Sequence, residues 1–371
     1  MYAMNWTTLD AFGTQALKDM DRKRQARGAM LERAGHGPQR TPSTILYAQP
    51  GLNLLRYDSI DGAPGAGPAV LLVPAPIKRS YIWDMAPEIS VVQRWRERGY
   101  RVYLAEWVPT PDGDTEVGLA DYGDRLLSIC QNKIFEDSGQ LKIIIAGHSL
   151  GGILAAIYSA AHPQQVAATI LLEAPLHFAH PDCCFTPLVK ATPDAGAIAA
   201  AFRQVPGAFL NIMSAMAEPQ AFGWERNMDR WLSMFDPLAL STHMRVERWT
   251  HDEFALPGKL FTDIVESLYR HDSFMAGQLP IGGRMLGPGD LRAPLISVVD
   301  MRSKVIPPQA VLPFHEAAGS ARKQVLCYGG DIGVNLQHVG VLVGRSAHAS
   351  LWPQIFDWLG APAIAPLPAA T

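Results

Sequence analysis

Short apolar runs recur along the first half of the chain at the spacing of a layered α/β fold. Residues 69–74 are continuously apolar, 100–107 are mixed apolar and aromatic, 141–146 are β-branched, and 166–173 are apolar up to a terminal Glu173. Such runs read as buried strands. Residues 89–98, 119–131 and 152–161 lie between them and read as helices, the last rich in alanine and leucine. Strand–helix alternation of this kind predicts a mostly parallel, doubly wound sheet. Upstream, residues 43–57 read as two short strands around the turn Pro50-Gly51, and residues 61–68 as a Gly/Pro loop. Residues 7–34 read as a helix with a sparse apolar face of Leu9, Phe12, Leu17 and Met20, its charged stretch turned to solvent, with Pro42 ending the segment.

The rhythm breaks at Ala174. Residues 176–290 show no clear alternation and are rich in Met, Trp and Phe, with Met213, Met216, Met228, Met234, Met244, Met275 and Met285 among them. This stretch reads as a mainly helical cap inserted into the core, where flexible thioethers suit varied apolar groups. Strand, helix and strand patterns resume at 293–300, 308–318 and 323–328, and residues 346–359 read as the closing helix. The expected organisation is an N-terminal helical extension (1–40), a core (41–175 and 291–360), a cap (176–290) and a disordered Ala/Pro-rich tail (361–371).

Composition narrows the function classes. The chain has 371 residues, 48% of them hydrophobic, and a formal net charge of −3, so nothing points to a nucleic-acid partner. No apolar run reaches the length of about 18 residues that a transmembrane helix needs, and the N-terminus lacks an apolar signal core. Cys130, Cys183, Cys184 and Cys327 are too few for a disulfide framework in a chain of this length, which suits a reducing cytoplasm.

The chemistry is concentrated in Gly147-His148-Ser149-Leu150-Gly151, a Gly-x-Ser-x-Gly pattern with a predicted strand before it and a predicted helix after it. The pattern is common by chance; both flanks being correct is what makes it a nucleophile elbow. The glycines permit the sharp turn and keep side chains away from Ser149. The Leu150 N–H is then free to hold an oxyanion. In this architecture an acid and then a histidine follow the serine. His338, after the last strand and before the last helix, is the candidate base. Asp300, at the end of the strand after the cap, is the candidate acid; Glu173, at the end of the strand before it, is the alternative. A second oxyanion donor belongs to the loop Pro74-Ala75-Pro76-Ile77-Lys78. Proline has no N–H, which leaves Ala75, Ile77 or Lys78, and Ile77 is favoured. His177, His180, Asp182, Cys183 and Cys184 cluster at the cap entry without the spacing of a standard zinc site, so neither metal nor cofactor is expected.

From about residue 43 to residue 359 the chain resembles the polyhydroxyalkanoate synthase family of the α/β-hydrolase superfamily, and most of all its short two-component class. Pro74-Ala-Pro-Ile-Lys-Arg-Ser-Tyr-Ile-Trp-Asp-Met85 is similar to the family's Pro-Pro-x-Ile-Asn-Arg-x-Tyr-Ile-x-Asp-Leu. Trp249-x-x-Asp252 followed by Leu256-Pro257-Gly258 resembles a cap motif of the family, which implies that Trp249 and Asp252 serve the substrate or the cap. Asp121-Tyr122 and His338-Val339-Gly340 also match. Two positions depart. Ser149 stands where the family has its nucleophilic cysteine, and Ser303 stands where an ungapped match on Val305-Ile306-Pro307 puts the family's aspartate. An acyl-serine is an oxyester and more stable than a thioester, and serine needs a general base where cysteine is partly thiolate. The combination points to a serine-dependent acyl hydrolase or acyltransferase acting on hydroxyacyl esters, oligomers or thioesters. The alternatives are a true synthase polymerising hydroxyacyl-CoA, and a weakly active homologue that binds polyester granules or a synthase partner. The resemblance implies a cytoplasmic or granule-associated protein, as a homodimer or with a synthase partner subunit.

Overall fold

The computed structural model describes residues 11–58, 67–109, 116–180, 182–192 and 194–360. The start of the N-terminal helix expected over 7–34, most of the Gly/Pro loop at 61–68 and the tail at 361–371 lie outside the described residues. The core strands are β1 (Thr44–Gln49), β2 (Leu52–Tyr57), β3 (Ala69–Val73), β4 (Arg101–Trp107), β5 (Ile143–His148) and β6 (Val166–Leu172). Two small antiparallel pairs follow, β7 (Gln204–Val205) with β8 (Leu256–Pro257) and β9 (Leu279–Ile281) with β10 (Arg284–Leu286); β11 (Leu295–Val299) and β12 (Lys323–Cys327) then return to the core. The main sheet runs β1-β2-β4-β3-β5-β6-β11-β12. It is parallel from β4 to β12, and β1 and β2 are antiparallel additions at one edge.

The apolar runs that mark the strands are buried on both faces, as expected of a parallel sheet covered by helices. Along β3, Leu71 and Val73 face one layer with α3 (Leu126–Ser138) and α4 (Leu150–Ala161). Val70 and Leu72 face the other, with Trp95 of α2 (Val91–Glu97) and Trp352 of α13 (Trp352–Gly360). The doubly wound sheet expected from the sequence is therefore what the chain builds. The helix expected at 119–131 is longer: a wide turn at Asp121–Arg125 runs into α3, which ends where Gly139 takes a left-handed conformation (φ 72°).

Between β6 and β11 lie α5 (Thr186–Ala191), α6 (Ala195–Phe202), α7 (Gly207–Ala217), α8 (Arg226–Ser233), α9 (Pro237–Thr250) and α10 (Gly258–Asp263), the mainly helical stretch expected as a cap and called the cap below. The N-terminal helix α1 (Ala11–Leu31) leans on this insertion. Arg24 pairs with Glu253 at 3.0 Å, and the Ala208 N–H donates to Asp21 at 2.7 Å. Its charged stretch is thus only in part a solvated face. After β11 come α11 (Leu312–Ala317) and, between β12 and α13, a helix the pattern did not suggest, α12 (Gln337–Val343).

The β5–α4 junction allows almost no bulk. A Cβ on Gly151 would lie 2.1 Å from the Val73 carbonyl oxygen, and one on Gly147 2.3 Å from that of Gly151. Gly151→Ala is expected to destabilise the protein by about 1–3 kcal/mol, the usual range for overpacking. Urea unfolding measures it; an unchanged midpoint would mean that α4 slides off β3 at no cost.

Candidate active site

β5 delivers Ser149 at a strained turn, with φ 54° and ψ −127°. Its N–H donates to the Leu172 carbonyl at 3.0 Å, and its own carbonyl accepts from Gly152 and Ile153, so the backbone is held on both sides. Leu150 opens α4, where the first N–H groups have no intrahelical partner. Ser149 lines a cavity of about 1040 Å³ together with Ala75, Ile77, His148, Trp249 and His338.

His338 lies in the first turn of α12. Its Nδ1 is 3.6 Å from Glu173 Oε2, and both atoms are buried without a hydrogen-bond partner. They therefore face one another at slightly more than hydrogen-bond length. The other oxygen, Oε1, accepts the backbone N–H of Asp300. Glu173 is wholly buried and, like Ser149, has a positive φ (47°). Burial pushes its carboxyl well above the usual range; the Asp300 N–H opposes the rise and the Asp300 charge adds to it. Burial also holds His338 down, at about 4.

Asp300, expected as the acid, does not reach His338. Among the described residues only the Glu173 carboxylate comes into ion-pair range of that ring. Asp300 Oδ1 instead accepts the Arg302 N–H at 2.9 Å and Arg302 Nε at 3.4 Å, an Asx turn that closes the chain after β11. An aspartate two residues before a free N–H finds its acceptor role locally. Ser303 is occupied in the same turn, where its Oγ accepts the Ile306 N–H at 3.0 Å.

The loop after β3 is fixed from the cap. Ile77 lines the cavity, and its carbonyl accepts the Phe254 N–H at 3.4 Å. Lys78 forms an antiparallel bridge with Glu253, and its Nζ lies 2.6 Å from Glu253 Oε1. Burial lowers the Lys78 ammonium, and Glu253 opposes that. Trp249 lines the cavity and donates from Nε1 to the Arg79 carbonyl at 2.8 Å. Asp252 does not line it. It accepts from Tyr81 Oη at 3.0 Å and pairs with Arg248 at 3.0 Å, tying cap to core. Of the cap-entry cluster, His177 is bonded to Asp272 at 2.6 Å, and the Phe178 N–H donates to the same carboxylate.

Two contributors escaped the sequence reading. The His148 ring lies 4.5 Å from that of His338, centroid to centroid, with its Nε2 2.8 Å from the His338 carbonyl oxygen. Its place beside Ser149 was the available signal. Glu253 carried no signal of its own beyond its place next to Asp252 in the cap motif.

Against known proteins, residues 68–244 match a family model described as the alpha/beta hydrolase fold. The chain has the α/β-hydrolase fold. It is similar to poly(3-hydroxyalkanoate) polymerase subunits PhaC. That of Haloferax mediterranei is 29% identical over 332 residues, which are 86% of this chain and 64% of the relative. That of Allochromatium vinosum is 25% identical over 320 residues, 86% of this chain and 88% of the relative. Solved α/β-hydrolases share the fold. A Paleococcus ferrophilus monoacylglycerol lipase has a TM-score of 0.51 at 15% identity, covering 83% of this chain and 98% of its own. An enol-lactonase of Burkholderia xenovorans LB400 has a TM-score of 0.51 at 12% identity, covering 86% and 99%.

The geometry generates a test of which carboxylate would serve the histidine. Only an ionised acid keeps the proton on Nδ1 and leaves Nε2 free to accept, so activity should rise as pH climbs through the titration of the Glu173–His338 pair. Asp300→Asn keeps the backbone N–H but removes the charge that raises Glu173. Its acid limb in kcat/KM for a short aryl ester should therefore move to lower pH with most activity retained. Glu173→Gln should lose about 10⁴-fold, as a lost triad acid does elsewhere. The opposite pattern would return the role to Asp300.

Proposed function

We propose that the protein is a serine-dependent acyl hydrolase or acyltransferase. The observation that carries this reading is Ser149 on a strained elbow, sharing an apolar-walled cavity with a histidine whose far nitrogen faces a buried carboxylate. Ser149 Oγ attacks an ester or thioester carbonyl while His338 Nε2 takes its proton. The oxyanion is held by the N–H groups of Leu150 and Ile77. The proton passes from His338 to the departing alkoxide or thiolate, leaving an acyl-Ser149. Water or an acceptor alcohol, deprotonated by His338, then attacks that ester and releases the product and free serine. Glu173 orients the ring and balances its positive charge while it carries the extra proton.

The fitting substrates are hydroxyacyl esters, oligomers or thioesters entering under the cap, where Met213 and Met228 line the cavity. The similarity to poly(3-hydroxyalkanoate) polymerases favours a second reading, chain growth from hydroxyacyl-CoA. Serine weighs against it, because thiol–thioester exchange is nearly balanced whereas transfer from a thioester to serine leaves a more stable oxyester to be opened at every cycle.

Ser149→Ala is expected to abolish labelling by a fluorophosphonate probe with the far-UV circular dichroism unchanged; a wild-type protein that does not label removes the nucleophile assignment. Wild-type protein given a short aryl ester and hydroxybutyryl-CoA separately should release acid from the ester. Polymer with released CoA would instead favour the second reading, and neither product would favour a binding role. Ser149→Cys is expected to raise CoA release; no gain would show that the nucleophile is not what separates this protein from the polymerases.

A further inference from the structure

The loop that leads into His338 is held by the cap. Asp229, on α8, is nearly buried and gathers three donors. It accepts the Gly333 N–H on Oδ1 at 2.8 Å, the Asn335 N–H on Oδ2 at 2.8 Å, and lies 2.7 Å from His243 Nδ1 of α9 on Oδ2. Asn335 has a positive φ (66°) and is buried. Its Nδ2 donates to Glu247 Oε2 at 2.8 Å and lies 3.3 Å from His243 Nε2. Gly333 also has a positive φ (90°), and a Cβ there would lie 2.5 Å from the Ala239 carbonyl oxygen, so this stretch is pressed onto the start of α9. From Asn335 the chain runs three residues to His338. That path is stiffened by the Leu336 N–H to Val334 carbonyl bond at 2.7 Å and the Val339 N–H to Leu336 carbonyl bond at 3.0 Å.

We propose that Asp229 is a positioning residue for His338, acting from the cap by clamping the backbone of residues 333–335 with His243 as its brace. The proposal rests on the reading of His338 as the general base. Its consequence is that the helix which touches substrate also aims the base: Met228 and Leu232, either side of Asp229, line the cavity. His148 grips the His338 carbonyl from the core side, so the ring is held between a core clamp and a cap clamp. A substrate that shifts α8 therefore shifts His338, and correct seating of the acyl chain is coupled to proton transfer. Misplacement by about 1 Å can cost about 10²-fold.

Asp229→Asn tests the clamp, because an amide cannot accept all three donors and turns its own NH₂ toward one of them. Three readouts are expected. The kcat for a short aryl ester falls about 10–100-fold with KM within a few-fold. The acid limb of kcat/KM moves to higher pH, because a loosened loop lets water reach the His338 ring, which among the described residues has Glu173 and His148 as its titratable neighbours. Hydrogen exchange of the Gly333 and Asn335 amides speeds up at least about tenfold while that of β5 and α4 does not change. A purely structural role would lower the thermal midpoint and leave the acid limb where it was. Unchanged exchange at Gly333 and Asn335, or faster exchange with unchanged kcat, overturns the proposal. If Asp229→Asn does not fold, His243→Leu removes the brace on Asp229 Oδ2; a kcat loss at constant KM with faster exchange at Gly333 and Asn335 then supports the clamp, and unchanged kcat overturns it. The exchange measurement needs no turnover, and wild-type labelling of Ser149 reports on the parent reading by itself, so the two can fail separately.

Discussion

The backbone of Ser149 is the constraint on which the site depends. A non-glycine residue at φ 54° and ψ −127° costs on the order of 1–3 kcal/mol and persists only where its surroundings over-determine it. Here they do. β5 is buried along its whole length between β3 and β6, α4 is buried on nearly every side, and Gly147, Gly151 and Gly152 bring the two within distances that leave no room for a Cβ. Relaxing the turn would break the β6 contact at Leu172 and pull α4 away from the sheet. The energy of the core thus keeps one hydroxyl in a conformation it would not choose, at the mouth of a helix with free N–H groups.

The second strained residue, Glu173, ends the neighbouring strand and completes the arrangement. Its carboxylate is fixed at one oxygen by the Asp300 N–H and left open at the other, toward His338. β6 and β11 are adjacent, so the carboxylates of Glu173 and Asp300 stand at the ends of neighbouring parallel strands. The longer side chain, wholly buried, points toward the histidine, and the shorter one turns back to close its own loop. Asp300 then acts on the site through its backbone and its charge.

The fold was legible because strands buried on both faces leave an apolar signature that needs no tertiary information, and because the Ser149 elbow is a local strand–turn–helix motif. That Ser149 and His338 would meet in one cavity was legible for the same reason: each sits at a junction that chain order alone identifies. The choice between Asp300 and Glu173 was not. Both end strands, and only the direction of the chain after Asp300 and the φ of Glu173 separate them, neither of which periodicity reports. The short helix α12 was hidden because Val339, Gly340, Val341, Leu342 and Val343 are all buried, and an evenly apolar run carries no helical stripe. The docking of α1 on the cap rests on single charges, Asp21 and Arg24, meeting partners far away in sequence. The same holds for Asp252, which its motif left open between substrate and cap and which ties cap to core.

Desolvation bears last on the identity of the nucleophile. Burial drives His338 toward its neutral form and Glu173 the same way. A cysteine at position 149 would favour a resting thiolate beside an imidazolium, and the burial that holds the His338 imidazole neutral opposes that ion pair. A serine rests as a neutral hydroxyl beside a neutral imidazole and generates charge only as the acyl carbonyl is attacked. At that moment the fixed dipoles of the α4 N-terminus and of the loop after β3 are already oriented, so no reorganisation is needed. The burial that would oppose a resting thiolate–imidazolium pair thus strengthens the interactions that a serine would make in its transition state. A buried neutral imidazole suits a neutral hydroxyl at position 149, and that fit supports the proposed reading of the departure from cysteine as a change of chemistry.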